Sequence, residues 1–171
     1  MKTTLDIKEP GLNVLPPGVE RHVVNGGGLT AFQLFPDDEV EIINDEGNQI
    51  CEIICFNKDG KSEVGILNLK ENSDKNFIRD ILNGKDETIL ATNYQLKKRN
   101  LNITQSKSSI VFDKDTPPGE KIKLKSKDKC YAIFSAPSED MLVTNQNPPS
   151  ELTIFIKRAK IINDKELNII P

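Results

Sequence analysis

Apolar and polar residues alternate in short runs along most of this chain, and turn residues separate the runs. This alternation predicts β-strands because side chains of a strand point to opposite faces in turn. The predicted strands lie at residues 19–24, 29–35, 39–42, 49–56, 88–94, 103 or 110–112, 121–125, 130–135, 141–143 and 152–158. Turn signals recur at intervals of roughly ten residues, which is typical of β-sandwiches and barrels.

The turn residues are mainly Gly, Pro, Asn and Asp, which favour chain reversal for distinct conformational reasons. Residues 26–28, 36–38 and 57–60 each predict a turn. The sequence Asn44-Asp45-Glu46-Gly47 predicts a β-hairpin between the strands on either side of it, because Gly readily adopts positive φ.

One helix is predicted at about residues 73–83. Ser73 can cap its N-terminus, and Phe77, Ile78, Ile81 and Leu82 fall on one face. The predicted fold is therefore mainly β, a sandwich or distorted barrel of short antiparallel strands with one short helix.

The length of 171 residues fits a single domain with a substantial core. We expect residues 1–18 to form an extended N-terminal arm, because Pro-Gly pairs interrupt regular structure there. Residues 19–160 are expected to form the β-domain. Residues 161–171, which end in the apolar run Asn168-Ile169-Ile170-Pro171, are expected to be a linker to another domain or a docked terminal strand.

Charge and composition limit the partners. The formal net charge is −3, and 19 Lys stand against four Arg, so we expect no nucleic acid and no membrane as partner. The chain has no apolar run of the length that spans a bilayer, and its first residues have no apolar signal region. The expected location is the cytoplasm.

His22 is the sole histidine, which excludes a metal site with two His ligands. A Ser-His-Asp arrangement stays formally open, but no G-x-S-x-G pattern is present. We expect an ordinary residue near a strand end.

Cys51 and Cys55 are spaced to lie on the same face of one strand, roughly 13 Å apart. They cannot share one metal ion without a bend, so two buried, inert cysteines are the expected arrangement. Cys130 could lie near either of them. Three cysteines without dense spacing predict no disulfide framework.

Glu52 is the best single indication of a site, because it interrupts the most apolar predicted strand. A buried carboxylate there would have a raised pKa unless it is partnered. The alternative, which we favour, is an edge or rim position that faces water.

Lys121, Lys123, Lys125, Lys127 and Lys129 alternate along the chain, so a strand would place them on one face. An anion-binding face is one interpretation, and a solvated face or guarded sheet edge is the favoured one. The basic run at residues 97–99 gives a weaker indication of the same kind. The glycines at 26–28 are not a phosphate loop, because no Lys-Ser/Thr and no helix follows them.

Two segments resemble the opening and the end of the urea-carboxylase-associated domain family, which includes carboxyguanidine deiminase subunits. The opening segment covers residues 28–52, with Asn44-Asp45-Glu46-Gly47-Asn48-Gln49 at its centre. The closing segment covers residues 118–154, with Ser135-Ala136-Pro137. A similar domain forms the zinc-carrying region of trimethylamine-N-oxide demethylases, which look like fusions to a folate-binding aminomethyltransferase domain.

The chain departs from the family pattern where the chemistry would lie. Glu52 stands where the family has Asp, and Pro137 directly follows Ser135-Ala136 where the family has an intervening Cys. No Cys or His lies between Cys55 and Cys130, although a thiolate zinc site needs such ligands. The resemblance therefore implies a shortened N-terminal domain, for which we predict no catalytic, cofactor-binding or metal-binding residue.

The resulting hypothesis is a non-catalytic structural or assembly domain of a larger folate-dependent demethylase or aminomethyltransferase-like enzyme. Its partners would be a neighbouring enzyme domain or like subunits, and the parent enzyme is expected to use zinc and tetrahydrofolate. One alternative is a hydrolase or lyase for a small nitrogen compound, with Glu52 as acid/base and His22 or Asp140 nearby. Another is a small-ligand or anion-binding module that uses the lysine row.

Overall fold

The computed structural model describes residues 15–73, 76–104, 106–138 and 148–160. Eight strands run in the order β1 (Val19–Val24), β2 (Leu29–Leu34), β3 (Glu39–Asn44), β4 (Cys51–Asn57), β5 (Ser109–Phe112), β6 (Glu120–Lys125), β7 (Cys130–Ser135) and β8 (Leu152–Lys157). A 3₁₀ helix (Val64–Leu67) and two α-helices, α1 (Phe77–Ile81) and α2 (Glu87–Lys98), lie between β4 and β5.

The strands form two four-stranded sheets in which neighbouring strands are antiparallel. Sheet A has the order β1-β8-β3-β6, and sheet B has the order β2-β7-β4-β5. This is the strand order of an eight-stranded jelly roll, in which the chain passes repeatedly from one sheet to the other. The mainly β prediction is confirmed, and the architecture is a sandwich of two sheets without a closed barrel.

The turn at Asn44–Gly47 forms, with the Gly47 amide donating to the Asn44 carbonyl at 3.3 Å. The predicted hairpin, however, is wrong, because β3 belongs to sheet A and β4 to sheet B. Turn residues determine where the chain reverses, whereas the hydrogen-bonding partner of a strand depends on distant segments. The turn therefore carries the chain across the sandwich.

The main core fills the space between the sheets with alternate side chains from all eight strands. Val40 and Ile42 of β3 face Ile53 and Cys55 of β4 across this core, and all four are fully buried. Burial of each large aliphatic side chain contributes roughly 1.5–3 kcal/mol. This core accounts for the period-two pattern in most strands.

A second cluster covers the outer face of sheet B. Ile54 of β4 and Ile133 of β7 pack there against Ile78 of α1 and Ile89 and Leu96 of α2. The two central strands of sheet B are therefore buried on both faces, and every residue of β7 is buried. Strands covered on both faces show continuous apolar runs, which explains the composition of β4 and β7.

Two predictions between β4 and β5 need correction, the start of the helix and the strand at 88–94. α1 begins at Phe77 instead of Ser73, because Asn76 caps it with its Oδ1 accepting from the Arg79 amide at 3.0 Å, and Ser73 forms a β-bridge with Ser108. The strand predicted at 88–94 is wrong, because these residues lie within α2. Asp86 caps α2 by accepting from the Thr88 amide, and the helix is long enough to pack along sheet B.

Several predictions fall on residues outside the described part of the chain: most of the arm at 1–18, the strand at 141–143, Asp140 and the terminal segment 161–171. Among the described residues, no helix combines the length and apolarity needed to cross a membrane.

Gly47 and Gly119 provide a matched test of the crossing turn, since both have φ of +77°. A Cβ at residue 47 would lie 2.6 Å from the Pro118 nitrogen, whereas one at residue 119 meets nothing within 4 Å. We expect Gly119→Ala to lower the free energy of unfolding by about 1–2 kcal/mol through backbone strain. Gly47→Ala should cost about 1–3 kcal/mol more, because it adds overpacking. Urea denaturation measures both, and equal losses would contradict the crowding at Gly47.

Candidate functional site

The two segments that carry the family resemblance meet at one end of the sandwich, around Gln49. Its Nε2 donates to the carbonyls of Ile50 and Pro137, both at 2.9 Å, and its Oε1 accepts from the Ser150 amide at 2.8 Å. Gln49 is 3% exposed, so these bonds are made away from water. The side chain thereby holds the opening segment to the closing one.

The glycines at 26–28 lie at the same end and serve close packing. The Gly27 amide donates to the Ala136 carbonyl at 2.7 Å, and the Ala136 amide donates to the Gly28 carbonyl at 3.0 Å. A Cβ on Gly26 would lie 2.3 Å from the Pro149 carbonyl oxygen. These glycines therefore allow two chain segments to approach, which agrees with the expectation that they form no phosphate loop.

Asn44 completes this polar cluster, although the sequence analysis assigned it only to the turn before Gly47. Its Nδ2 donates to the Gln49 carbonyl at 2.8 Å. Its Oδ1 is buried and has no partner among the described residues. The side chain is fully buried, so this unpaired acceptor carries a desolvation cost.

Glu52 is fully buried, so the favoured prediction of a water-facing rim position is wrong. Its Oε1 accepts from the Ile78 amide at 3.0 Å, and its Oε2 accepts from the Phe77 amide at 3.2 Å. Ser108 donates a further side-chain hydrogen bond to the carboxylate. Glu52 thus attaches the start of α1 to β4, a role visible only once the helix is placed on the sheet.

Burial raises the pKa of Glu52, and the amides of Ile78 and Phe77 oppose that rise without cancelling it. The nearby Asp80 carboxylate adds to the rise in pKa. A raised pKa is a property of catalytic acids, yet here each carboxylate oxygen accepts a backbone hydrogen bond within the fold. The arrangement is suited to holding a helix in place.

His22 is engaged elsewhere in the sandwich. It lies on β1 in sheet A, its Nε2 contacts Glu20 Oε1 at 3.0 Å, and its ring packs against Phe32 at 4.3 Å between centroids. Among the described residues, neither a hydrogen bond nor a ring contact joins His22 to Glu52. The other proposed companion of Glu52, Asp140, lies outside the described residues.

All three cysteines are free thiols and buried, which confirms the prediction of buried Cys51 and Cys55. Cys130 lies near Cys55, and the hydrogen bond between them, together with burial, raises the pKa of Cys55. Burial also raises the pKa of Cys51. A thiol with a raised pKa is a poor nucleophile and a poor metal ligand at neutral pH.

The zinc that the family resemblance implies does not fit these donors. The described residues bring together no group of three His, Cys, Asp or Glu side chains that could hold a metal ion. A structural zinc site takes four such ligands and a catalytic site three.

Three lysines of the row, Lys121, Lys123 and Lys125, lie on β6 at the edge of sheet A. In the register with β3, Lys123 is opposite Glu41 and Lys125 is opposite Glu39. Lys123 also forms an ion pair with Glu41 at 3.7 Å. This pattern supports the interpretation that the lysines protect the sheet edge against pairing with another strand, because the neighbouring carboxylates offset the positive charge that an anion would need.

Arg158 forms a charge network that the sequence did not indicate. Its guanidinium donates to Glu20 and to the Asp38 carboxylate, and also to the Gln33 carbonyl of sheet B at 2.8 Å. Asp38 is only 1% exposed and accepts from the Ala159 amide at 3.0 Å. Since 120 residues separate Asp38 from Arg158, no local motif could have revealed the pair.

Glu52→Ala should lower the free energy of unfolding by about 2–4 kcal/mol, because it leaves buried amides unpaired and opens a cavity. Glu52→Gln keeps an acceptor oxygen and should cost less. Chemical denaturation of both variants measures the difference. Equal losses would show that the hydrogen bonds to α1 contribute little.

Titration of Glu52 gives a separate expectation. Its pKa in the folded protein is raised above the ordinary value of 4.5, so the folded state favours the protonated carboxyl. Wild-type stability relative to Glu52→Gln should therefore be greatest below about pH 4.5 and fall as pH rises through the folded pKa. Unfolding free energies of both proteins across this range measure the trend. A difference that grows with pH would contradict the raised pKa.

The sequence is similar to part of a curated protein. The chain is 31% identical over 153 residues to trimethylamine-oxide aldolase from Ruegeria pomeroyi DSS-3. The alignment covers 90% of this chain but only 19% of that protein, so the chain spans about a fifth of the length of its relative. No family model matches the sequence.

Among solved structures, the chain is similar to a DUF1989 family protein from Silicibacter pomeroyi DSS-3, with a TM-score of 0.45 and 10% identity. The match covers 90% of this chain and 82% of the other. The chain is thus similar in sequence to a domain-sized part of trimethylamine-oxide aldolase, and the urea-carboxylase-associated family stays a prediction.

Proposed function

We propose that this chain is a non-catalytic structural or assembly domain of a larger enzyme similar to trimethylamine-oxide aldolase. The proposal includes a folate-dependent demethylase or aminomethyltransferase-like parent, whose zinc and tetrahydrofolate would be bound by its other domains. Its sequence support is the 31% identity, which extends over nearly the whole chain but over 19% of the relative. An alignment that covers nearly all of one chain and a small part of the other is expected when a single domain is compared with a multidomain protein.

The observation that carries the proposal is that Glu52, the strongest candidate for a catalytic residue, has a structural role. Both carboxylate oxygens of Glu52 accept backbone amides of α1. The carbonyl of the same residue accepts from Ser135 Oγ at 3.1 Å. A general acid must reach the substrate atom that it protonates, and a general base must reach the proton that it removes, whereas Glu52 is enclosed by the fold it supports.

The outer face of sheet A is the surface we assign to the neighbouring domain. Helices cover the corresponding face of sheet B, but Phe155 of β8 and Val19 of β1 are only half-buried on sheet A. They line a shallow depression of about 460 Å³ together with Glu41 and Lys123. An apolar centre with a charged rim is the usual composition of an interface between domains.

Deletion of the aligned region from the Ruegeria pomeroyi enzyme tests the role. We expect loss of thermal stability or subunit assembly, with unchanged turnover in the fraction that remains assembled. Replacing the region with this chain should restore assembly at least in part. Analytical ultracentrifugation and activity per assembled molecule are the measurements. A deleted enzyme that stays fully assembled and stable would end the proposal.

The contact surface has its own test in the same chimera. Phe155→Thr should weaken assembly, because it removes the apolar centre of the sheet A face. Tyr94→Gln is the matched control, since Tyr94 is an aromatic residue of α2 that is 64% exposed. Circular dichroism confirms that each variant folds. If Tyr94→Gln disrupts assembly and Phe155→Thr does not, the interface lies on α2 instead.

A further inference from the structure

A cleft of about 360 Å³ opens between the end of α2, the start of β7 and the turn after β4. Its lining includes the cationic side chains Lys58, Arg99 and Lys129, with Asp59 as its carboxylate. The volume is in the range of small-molecule sites, which begins at about 300 Å³. The lining therefore combines an excess of positive charge with room for a small molecule.

Arg99 contacts three neutral side chains at this cleft. Its guanidinium lies over the Tyr131 ring at 4.8 Å from the centroid, and its Nη2 donates to Gln33 Oε1 at 3.2 Å. Gln95 Oε1 accepts from its Nε at 3.4 Å. These partners are neutral, so they orient the guanidinium without offsetting its charge.

The charge of Arg99 and of Lys129 is available to a ligand. In the described ranges, neither side chain forms an ion pair with a carboxylate. The ammonium of Lys129 lies 5.9 Å from the centroid of the Phe35 ring. Lys58 differs, because it lies 4.0 Å from Asp128. Arg99 and Lys129 are thus the two unpaired cations of the cleft.

Tyr131 adds a neutral donor. It is 7% exposed and lines the cleft, and no described residue hydrogen-bonds to its hydroxyl. Burial raises the pKa of Tyr131, so the hydroxyl keeps its proton at neutral pH. A protonated phenol can donate to an oxygen of an anion.

The opposite wall of the cleft is rigid. The Oδ1 of Asn57 accepts from the amides of Asp59 and Lys61, both at 3.0 Å, and the Gly60 amide donates to the Asn57 carbonyl at 2.9 Å. Leu101, on the other side, packs into the cluster beneath α2. Fixed walls lower the entropic cost of binding, because little needs to be ordered when a ligand enters.

We infer that this cleft binds a small oxyanion, a carboxylate or a phosphate, between Arg99 and Lys129, with the Tyr131 hydroxyl as a further donor. A planar guanidinium suits oxyanions because it offers two parallel N–H groups. The alternative role of Arg99 is to place a cation at the C-terminus of α2, where it would favour the helix without any ligand. Anion binding requires Lys129 as well as Arg99, whereas stabilisation of the helix terminus requires Arg99 alone.

Titration of the full chain with inorganic phosphate or malonate, at constant ionic strength set with chloride, tests the inference. Binding should raise the unfolding temperature in a saturable manner. Arg99→Gln and Lys129→Gln should each weaken the response about tenfold, the equivalent of one charge-assisted hydrogen bond. Lys121→Gln, which removes the same charge from the edge of sheet A, should respond as the wild type does.

A response to only one of the two anions would support the site and identify the oxyanion. Equal responses in the wild type, Arg99→Gln and Lys129→Gln would overturn it, as would the absence of any saturable response in the wild type. Loss of stability in Arg99→Gln with an unchanged anion response would assign Arg99 to the helix terminus alone. Isothermal titration calorimetry of the wild type and Lys129→Gln gives the result independently of unfolding.

Discussion

Burial of both faces of sheet B is the constraint from which most of this structure follows. Its central strands, β4 and β7, face the main core on one side and the two helices on the other. Because water reaches neither face, every polar group on these strands must find a partner in the protein. The continuous apolar runs, the placement of the helices and the structural roles of Glu52 and Cys55 all follow from this layered arrangement.

The same constraint explains why the most suggestive residues have structural roles. A carboxylate on β4 could be accommodated only where amides point at it, and the first turn of α1 supplies them to Glu52. Cys55 and Cys130 lie on the inner face, and the hydrogen bond between them raises the pKa of Cys55 and lowers the pKa of Cys130. The polar groups at the end of the sandwich, such as Gln49, likewise join segments that are distant in sequence.

The uneven covering of the two sheets leaves two surfaces of different character. Sheet A keeps an outer face with half-buried Phe155 among alternating charges, which suits a neighbouring domain. Where α2 ends on sheet B, Arg99 and Lys129 border a cleft whose walls are already ordered. An assembly role for the domain and an anion site at this cleft are compatible, because they use different parts of the molecule.

Local sequence patterns are sufficient to predict β1, β7 and most other strands, the reversal at Gly47 and the burial of Cys51, because period-two alternation and turn residues act over a few positions. The remaining features depend on tertiary packing. Tertiary packing places β3 in sheet A and β4 in sheet B. Residues 88–94 form part of a helix because they pack on the apolar outer face of sheet B. Tertiary packing also brings α1 onto Glu52. Each of these outcomes depends on contacts between distant segments, which no local pattern encodes.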